Sequence, residues 1–426
     1  MKNHTRTYSR IFRHPKKYTY HRLCRLLFSS LLLLILPSIA AALEGQQEDV
    51  DASIQISPRV EQAGPDTPKN IPSKGGATIQ SKAVTQAPLQ LLGETINPGV
   101  KKRLSWTLGH TFEGIPVSAP ILVVNGRHPG PTLCLTAAVH GDEINGIAMV
   151  HRTFSALKSS QLNGAVIGVP IVNMHGYRRS SRYLPDRRDL NRYFPGSPEG
   201  SSAARIAHSF FQQVITHCDA LVDLHTGSFH RTNLPQVRAD LNHPATLELA
   251  YSFGGVAVVH SEGITGTLRR AAMDRGIPSI TLEAGEPKRL QLQKVHQGLK
   301  GIRNLMRKLA MVDEGEARSI PEAVFHQTQW IRTHQAGILL SEVSLGDPIK
   351  AGQQLGIITN PITNQQTPII SPYDGQLLGM ALNQVTIPGY AAYHIGIKAD
   401  KPGFIEESPE HVAAKTEMLD YSDGEE

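Results

Sequence analysis

The chain has 426 residues, enough for two or three domains, and 40% of them are hydrophobic, enough for ordinary cores. Its formal charge of +6 is concentrated at one end. Lys2, Arg6, Arg10, Arg13, Lys16, Lys17, Arg22 and Arg25 precede the first acid, Glu44, and taking those eight from the total leaves −2 for the rest. The remaining chain therefore lacks the basic footprint of a nucleic-acid-binding or membrane-surface protein.

The basic leader runs into "LLFSSLLLLILPSIAAALEG", whose apolar stretch of about 15 residues ends in small side chains. Positive flank, short apolar run and the Ala40-x-Ala42 spacing are the pattern of a secretory signal peptide over residues 1–42. Cleavage between Ala42 and Leu43 would deliver the protein to the periplasm or the outside, with no stable membrane span left. An uncleaved inner-membrane anchor is the rival reading, but a bilayer span needs roughly 20 apolar residues. Pro37 also interrupts the run. From 43 to 88 the chain is rich in Gln, Ser, Pro, Asp and Lys. Too few apolar side chains are present to offset the entropy of ordering, so this stretch reads as a disordered linker.

Residues 89–326 read as an α/β domain. "PILVVNG", "PTLCLTAAVH", "GAVIGVPIVN", "ALVDLHTG", "VAVVH" and "SITLEAG" are strand-like runs. After the Ser-rich start "SPEGSSAAR", Ile206, Phe210 and Val214 repeat at helical spacing beside Ala207, Phe211 and Ile215. Val295, Leu299, Ile302, Leu305 and Leu309 mark a later helix. Near-continuous apolar strands alternating with helices predict a mixed, mostly parallel sheet covered by helices on both faces. Cys134 and Cys218 lie in or beside core-strand patterns and outside any Cys-x-x-Cys spacing. An oxidising compartment allows them to pair, yet their positions read as two buried free thiols.

Residues 327–406 read as an all-β domain, with an acidic tail over 407–426. "HQAGILLSEVSLGDPIKAGQQLGIITNP" and "IISPYDGQLLGMALNQVTIPGYAAYHIG" are two similar halves of short strands with Gly-marked turns. They resemble the barrel-sandwich domain of lipoyl and biotinyl carriers. A carrier needs a lysine at the hairpin tip, where "TNPITNQQ" stands instead, and no lysine occurs between Lys350 and Lys398. The domain is expected to pack beside the active site and limit access to it.

In open α/β sheets ligands sit beyond the carboxyl ends of the strands. His140 and Glu143 follow one such strand, His225 follows "ALVDL", and Glu283 follows "SITL". Two His and one Glu, with a fourth position left to water, is a catalytic zinc pattern. Zinc would acidify that water and polarise a carbonyl, and Glu283 would carry the proton to a leaving nitrogen.

"HGDE" at 140–143, "DLNRYFPG" at 189–196, "DLHTG" at 223–227 and "TLEAGEP" at 281–287 resemble the succinylglutamate desuccinylase/aspartoacylase family, in the zinc carboxypeptidase A-like clan. The resemblance spans about 90–400. It implies one Zn2+ per chain held by His140, Glu143 and His225, Glu283 as general base, and Asn191 with Arg192 as a clamp for a substrate carboxylate. Asp189 is implied as a carboxylate that orients a ligand histidine. In "RRSSRYLPDRR" one of Arg182, Arg187 or Arg188 is expected to polarise the scissile carbonyl or bind a second acidic group, with Arg182 preferred. Family members often carry Gly where Arg187 stands. The clan's assisting tyrosine stays open among Tyr251, Tyr373, Tyr390 and Tyr393.

The function expected is an exported zinc-dependent amide hydrolase. It would remove an acyl group from an N-acyl amino acid or related carboxylate-bearing substrate. A metallocarboxypeptidase acting on envelope-derived or other peptides is the alternative. A non-catalytic zinc-containing binding protein is the reading from another class, disfavoured because Glu283 and the Asn-Arg pair are both present.

Overall fold

The computed structural model describes residues 86–398 apart from 111–113, 229, 314–319 and 383. The expected signal peptide, the linker up to residue 85 and the acidic tail lie outside the described residues. Among the described residues no helix is long and apolar enough to cross a membrane.

A hairpin of β1 (Leu89–Leu91) and β2 (Glu94–Ile96) leads into an antiparallel pair, β3 (Val100–His110) and β4 (Pro116–Asn125). Strands and helices then alternate: β5 (His128–Ala137), α1 (Asn145–Ala156), β6 (Asn163–Val169), α2 (Met174–Arg178), α3 (Ser202–Gln213) and β7 (Ala220–His225). They continue with β8 (Arg231–Ala239), α4 (Pro244–Phe253), β9 (Ala257–His260), α5 (Leu268–Asp274), β10 (Ser279–Gly285) and α6 (Leu292–Lys308). Strands alone follow: β11 (Ala323–Phe325), β12 (Thr328–Arg332), β13 (Gly337–Ser341), β14 (Pro348–Ile349) and β15 (Gln354–Thr359). The last are β16 (Gln366–Ile370), β17 (Gly375–Ala381), β18 (Val385–Thr386) and β19 (Ala391–Ile397).

The centre of the main sheet is parallel, in the order β6-β5-β7-β10. Alternate residues of these apolar strands serve two cores. Cys134 and Leu221 face α3 and α5 with Phe210 and Leu268. Leu133, Leu135 and Val222 face α1, α4 and α6 with Met149, Phe253 and Val295. Each large aliphatic side chain so buried stabilises the fold by about 1.5–3 kcal/mol. Ser201 caps α3, its hydroxyl accepting from the Ala204 amide. The sheet is thus mixed, parallel in the middle and antiparallel at β3-β4-β6 on one side and β10-β8-β17 on the other.

One expectation is corrected here, and one strand is not among those expected. Cys134 and Cys218 are disulfide-bonded, not free thiols. The bond joins Cys134, inside β5, to Cys218, two residues before β7, and the two strands are parallel neighbours. The unexpected strand, β8, lies inside the sheet although "RTNLPQVRA" reads as polar and contains Pro235. Proline cannot donate to a ladder, and here it falls where the ladder breaks. β10 pairs Glu283 with Gln236 and then, after a register shift, Gly285 with Asn233.

The C-terminal strands do not stand apart from this sheet. β12, β19 and β17 continue it, and β17 pairs with β8 through Gly379 opposite Asn233. A four-stranded sheet in the order β16-β15-β13-β18 covers them. Leu339, Leu355, Ile358, Leu377, Tyr393 and Ile395 fill the space between the two layers.

Candidate active site

The four predicted strand-end residues meet in one pocket of about 200 Å3, open to solvent on one side. The turn from β5 to α1 is tightly built. Ala138 adopts φ 49°, an uncommon left-handed conformation for a residue with a Cβ. A Cβ on Gly141 would collide with the Gly176 and Tyr177 backbone, so "HGDE" requires its glycine. Asn145 at the start of α1 donates to the Ala284 carbonyl at 3.0 Å and accepts from the Gln291 amide, tying this turn to the end of β10.

His140, Glu143 and His225 are all buried, and one ligand atom from each lies within 4.8 Å of the others. Both histidines turn Nδ1 inward, 2.9 Å and 2.8 Å from the two oxygens of Glu143 and 3.2 Å from each other. Their outward Nε2 atoms rest on carboxylates, His140 on Asp189 at 3.1 Å and His225 on Asp223 at 2.8 Å. A carboxylate behind each imidazole fixes ring orientation and raises ligand basicity, the usual arrangement around a bound metal. Glu143 also accepts from the Thr226 amide and from Arg182.

The electrostatics follow from this crowding. Burial opposes ionisation of Glu143, but the imidazoles of His140 and His225 outweigh it and hold the carboxyl far below the usual range. For Asp189, burial is likewise overcome by His140, Arg182 and Arg192. Burial would lower His225, yet Asp223 and Glu143 raise it well above its ordinary value. The cluster is built to hold positive charge between anionic groups. Two imidazoles and a carboxylate with oriented rings fit a zinc ion by donor type and number.

Around this cluster, both terminal nitrogens of Arg182 bond carboxylates, Glu143 at 3.2 Å and Asp189 at 2.9 Å. Arg187 and Arg188 are exposed and do not line the pocket, and Arg188 pairs with Asp186. Arg187 adopts φ 68°, the left-handed region that a glycine fills without strain. Asn191 and Arg192 lie on a single 3₁₀ turn capped by Asp189, so that aspartate serves both the turn and His140. Asn191 accepts from the Leu268 amide at 2.8 Å, which leaves its amide nitrogen as the remaining donor. Arg192 is half-exposed at the rim. Glu283 lines the pocket from β10, and its Oε2 accepts from Asn233 at 3.1 Å.

Three residues of this site go unread in the sequence. Asp223 sits two residues before His225 on one strand, hence on the same face, and that spacing was the available signal. Arg238 and Arg269 also line the pocket. Arg269 is buried and anchored on Ser261, and burial with the neighbouring Arg238 brings it down to about 10. Nothing in its helical setting announced it. None of the four candidate tyrosines lines the pocket, and Tyr393 instead donates to the Leu355 carbonyl in the C-terminal core.

A doubly covered α/β sheet thus gathers two imidazoles, a carboxylate and a separate glutamate at its strand ends. Residues 129–309 match the model of the succinylglutamate desuccinylase/aspartoacylase catalytic domain. The N-alpha-acetyl-L-2,4-diaminobutyric acid deacetylase of Halomonas elongata is 29% identical over 283 residues, 61% of this chain and 82% of that protein. A succinylglutamate desuccinylase/aspartoacylase from Rhodobacter sphaeroides superposes with a TM-score of 0.65 at 23% identity, covering 74% of this chain and all of that one. The product-bound ectoine utilization protein of Ruegeria pomeroyi gives 0.63 at 23%, covering 70% and 95%. These two structures speak for the fold. Family model and curated relative thus agree in likening residues 129–309 to the succinylglutamate desuccinylase/aspartoacylase catalytic domain.

Proposed function

We propose that the protein is an exported, zinc-dependent amide hydrolase that removes the acyl group of an N-acyl amino acid or a related carboxylate-bearing substrate. The observation that carries this is the convergence of His140 Nδ1, His225 Nδ1 and Glu143, with Asp189 and Asp223 behind the rings and Glu283 beside them. Zinc, when held there, supplies a Lewis acid for the amide carbonyl and acidifies a water. Glu283 takes the proton from the attacking water and delivers it to the departing nitrogen. Arg182, held by Glu143 and Asp189 at the edge of the cluster, serves the scissile carbonyl. Asn191 and Arg192 clamp the carboxylate of the substrate.

Four arginines line the pocket, Arg182, Arg192, Arg238 and Arg269, which supports an anionic substrate. The name of the Halomonas relative supports an N-acetyl amino acid as the class. Export is supported by the Cys134–Cys218 bond, since disulfides persist in oxidising compartments. We read the C-terminal strands as a barrel-sandwich domain with no carrier lysine.

The test is a panel of N-acetyl-L-aspartate, N-succinyl-L-glutamate, N-alpha-acetyl-L-2,4-diaminobutyrate and dialanine. The expected outcome is turnover of at least one N-acyl amino acid, lost on chelation and restored by zinc. Cleavage of dialanine alone would move the assignment to a carboxypeptidase. No turnover by a zinc-loaded protein that still binds these compounds would favour the binding protein.

A further inference from the structure

Glu283 is held from behind. Its Oε2 accepts from the side-chain amide of Asn233, which is buried. Asn233 sits on β8 where that strand is gripped from both sides, opposite Gly285 of β10 and Gly379 of β17. On the β10 side the register slips between Glu283 and Gly285, and a bulge of this kind re-aims the side chain beside it. On the β17 side there is no room. A Cβ added at Gly379 would come within 2.7 Å of Asn233 Oδ1 and 3.3 Å of the His394 Cβ. The atom that must yield is the oxygen of the same amide whose nitrogen holds Glu283.

A second observation says what this hold prevents. Arg238 Nε is buried without a hydrogen-bond partner and makes a long ion pair with Glu283 Oε1 at 3.9 Å, beyond hydrogen-bonding reach. A small swing of the carboxylate would tighten that ion pair into a hydrogen bond and occupy the oxygen that has to face water. The Asn233 bond restrains the swing.

We infer that Asn233 is a positioning residue for Glu283 and that Gly379, on a C-terminal strand, is its back-stop. The C-terminal strands thereby contribute to turnover and do more than wall off the pocket. This rests on the reading of Glu283 as the base, and the experiment separates the two.

Zinc-loaded full-length Asn233→Ala, Gly379→Ala, the double variant and Glu283→Gln are compared with wild type on the N-acyl amino acid of the panel that wild type turns over fastest. A hydrogen bond to a charged group is worth roughly 10- to 100-fold. Asn233→Ala is expected to lose about that factor in kcat, with KM within about twofold and zinc content unchanged. Gly379→Ala is expected to fall in the same direction, and the double variant to be no slower than Asn233→Ala, because both act through one amide. Should Asn233→Ala not fold, Asn233→Asp keeps the shape, removes the donor and is expected to lose at least as much kcat.

Full turnover by Glu283→Gln would overturn the base and this inference with it. An inactive Glu283→Gln beside a wild-type kcat in folded Asn233→Ala or Asn233→Asp would overturn the inference alone. Additive losses in the double variant would overturn the link to Gly379.

Discussion

At His225 the imidazole lies between two carboxylates, with Asp223 on Nε2 and Glu143 on Nδ1. Burying so much charge is unfavourable unless every group is paired, and here each one is. Asp223 accepts on its other oxygen from Thr136 at 2.7 Å, so its orientation is fixed before any metal arrives. Such outer partners typically govern 10- to 100-fold in metal affinity. Asp223→Asn is therefore expected to keep the fold and weaken zinc binding by about that factor, read by competition with a chromophoric chelator. An unchanged affinity would reduce Asp223 to a structural role. His140, Glu143, His225 and Glu283 were legible in the sequence because each is a polar group where an apolar run stops. Asp223 was legible only to someone applying the two-residue strand period to "DLH".

At the scale of elements, β5 and β7 each lead at their carboxyl ends to a histidine of the buried cluster, and the Cys134–Cys218 bond ties the interior of β5 to the residues just before β7. Closing a loop of 84 residues is expected to stabilise the folded chain by about 2–4 kcal/mol. Cys134→Ala/Cys218→Ala should then melt roughly 5–15 °C lower while holding zinc normally. Free-thiol titration of the native protein should find Cys134 and Cys218 unreactive, and two reactive thiols there would contradict the bond. The strands of the parallel core were readable because they are buried on both faces and uniformly apolar. β8 was not, because Asn233, Gln236 and Arg238 serve the pocket and its neighbours instead of a core. A strand that carries function loses the apolar pattern by which strands are recognised.

For the molecule as a whole, the sheet runs unbroken from the zinc-type cluster through β10 and β8 into the C-terminal strands. Sequence composition marked where the chain turns all-β but could not reveal that β17 joins the catalytic sheet, since that pairing depends on register across distant segments. The account stands or falls on Glu283, a carboxylate that lines the pocket without belonging to the ligand cluster. Glu283→Gln keeps shape and can still be held by Asn233, but it cannot take a proton. Melting temperature, zinc content and turnover should be measured on a single preparation of that variant. The expected result is a stable protein with about one zinc per chain and turnover at least about 100-fold below wild type. A stable, zinc-loaded Glu283→Gln with undiminished turnover would contradict it.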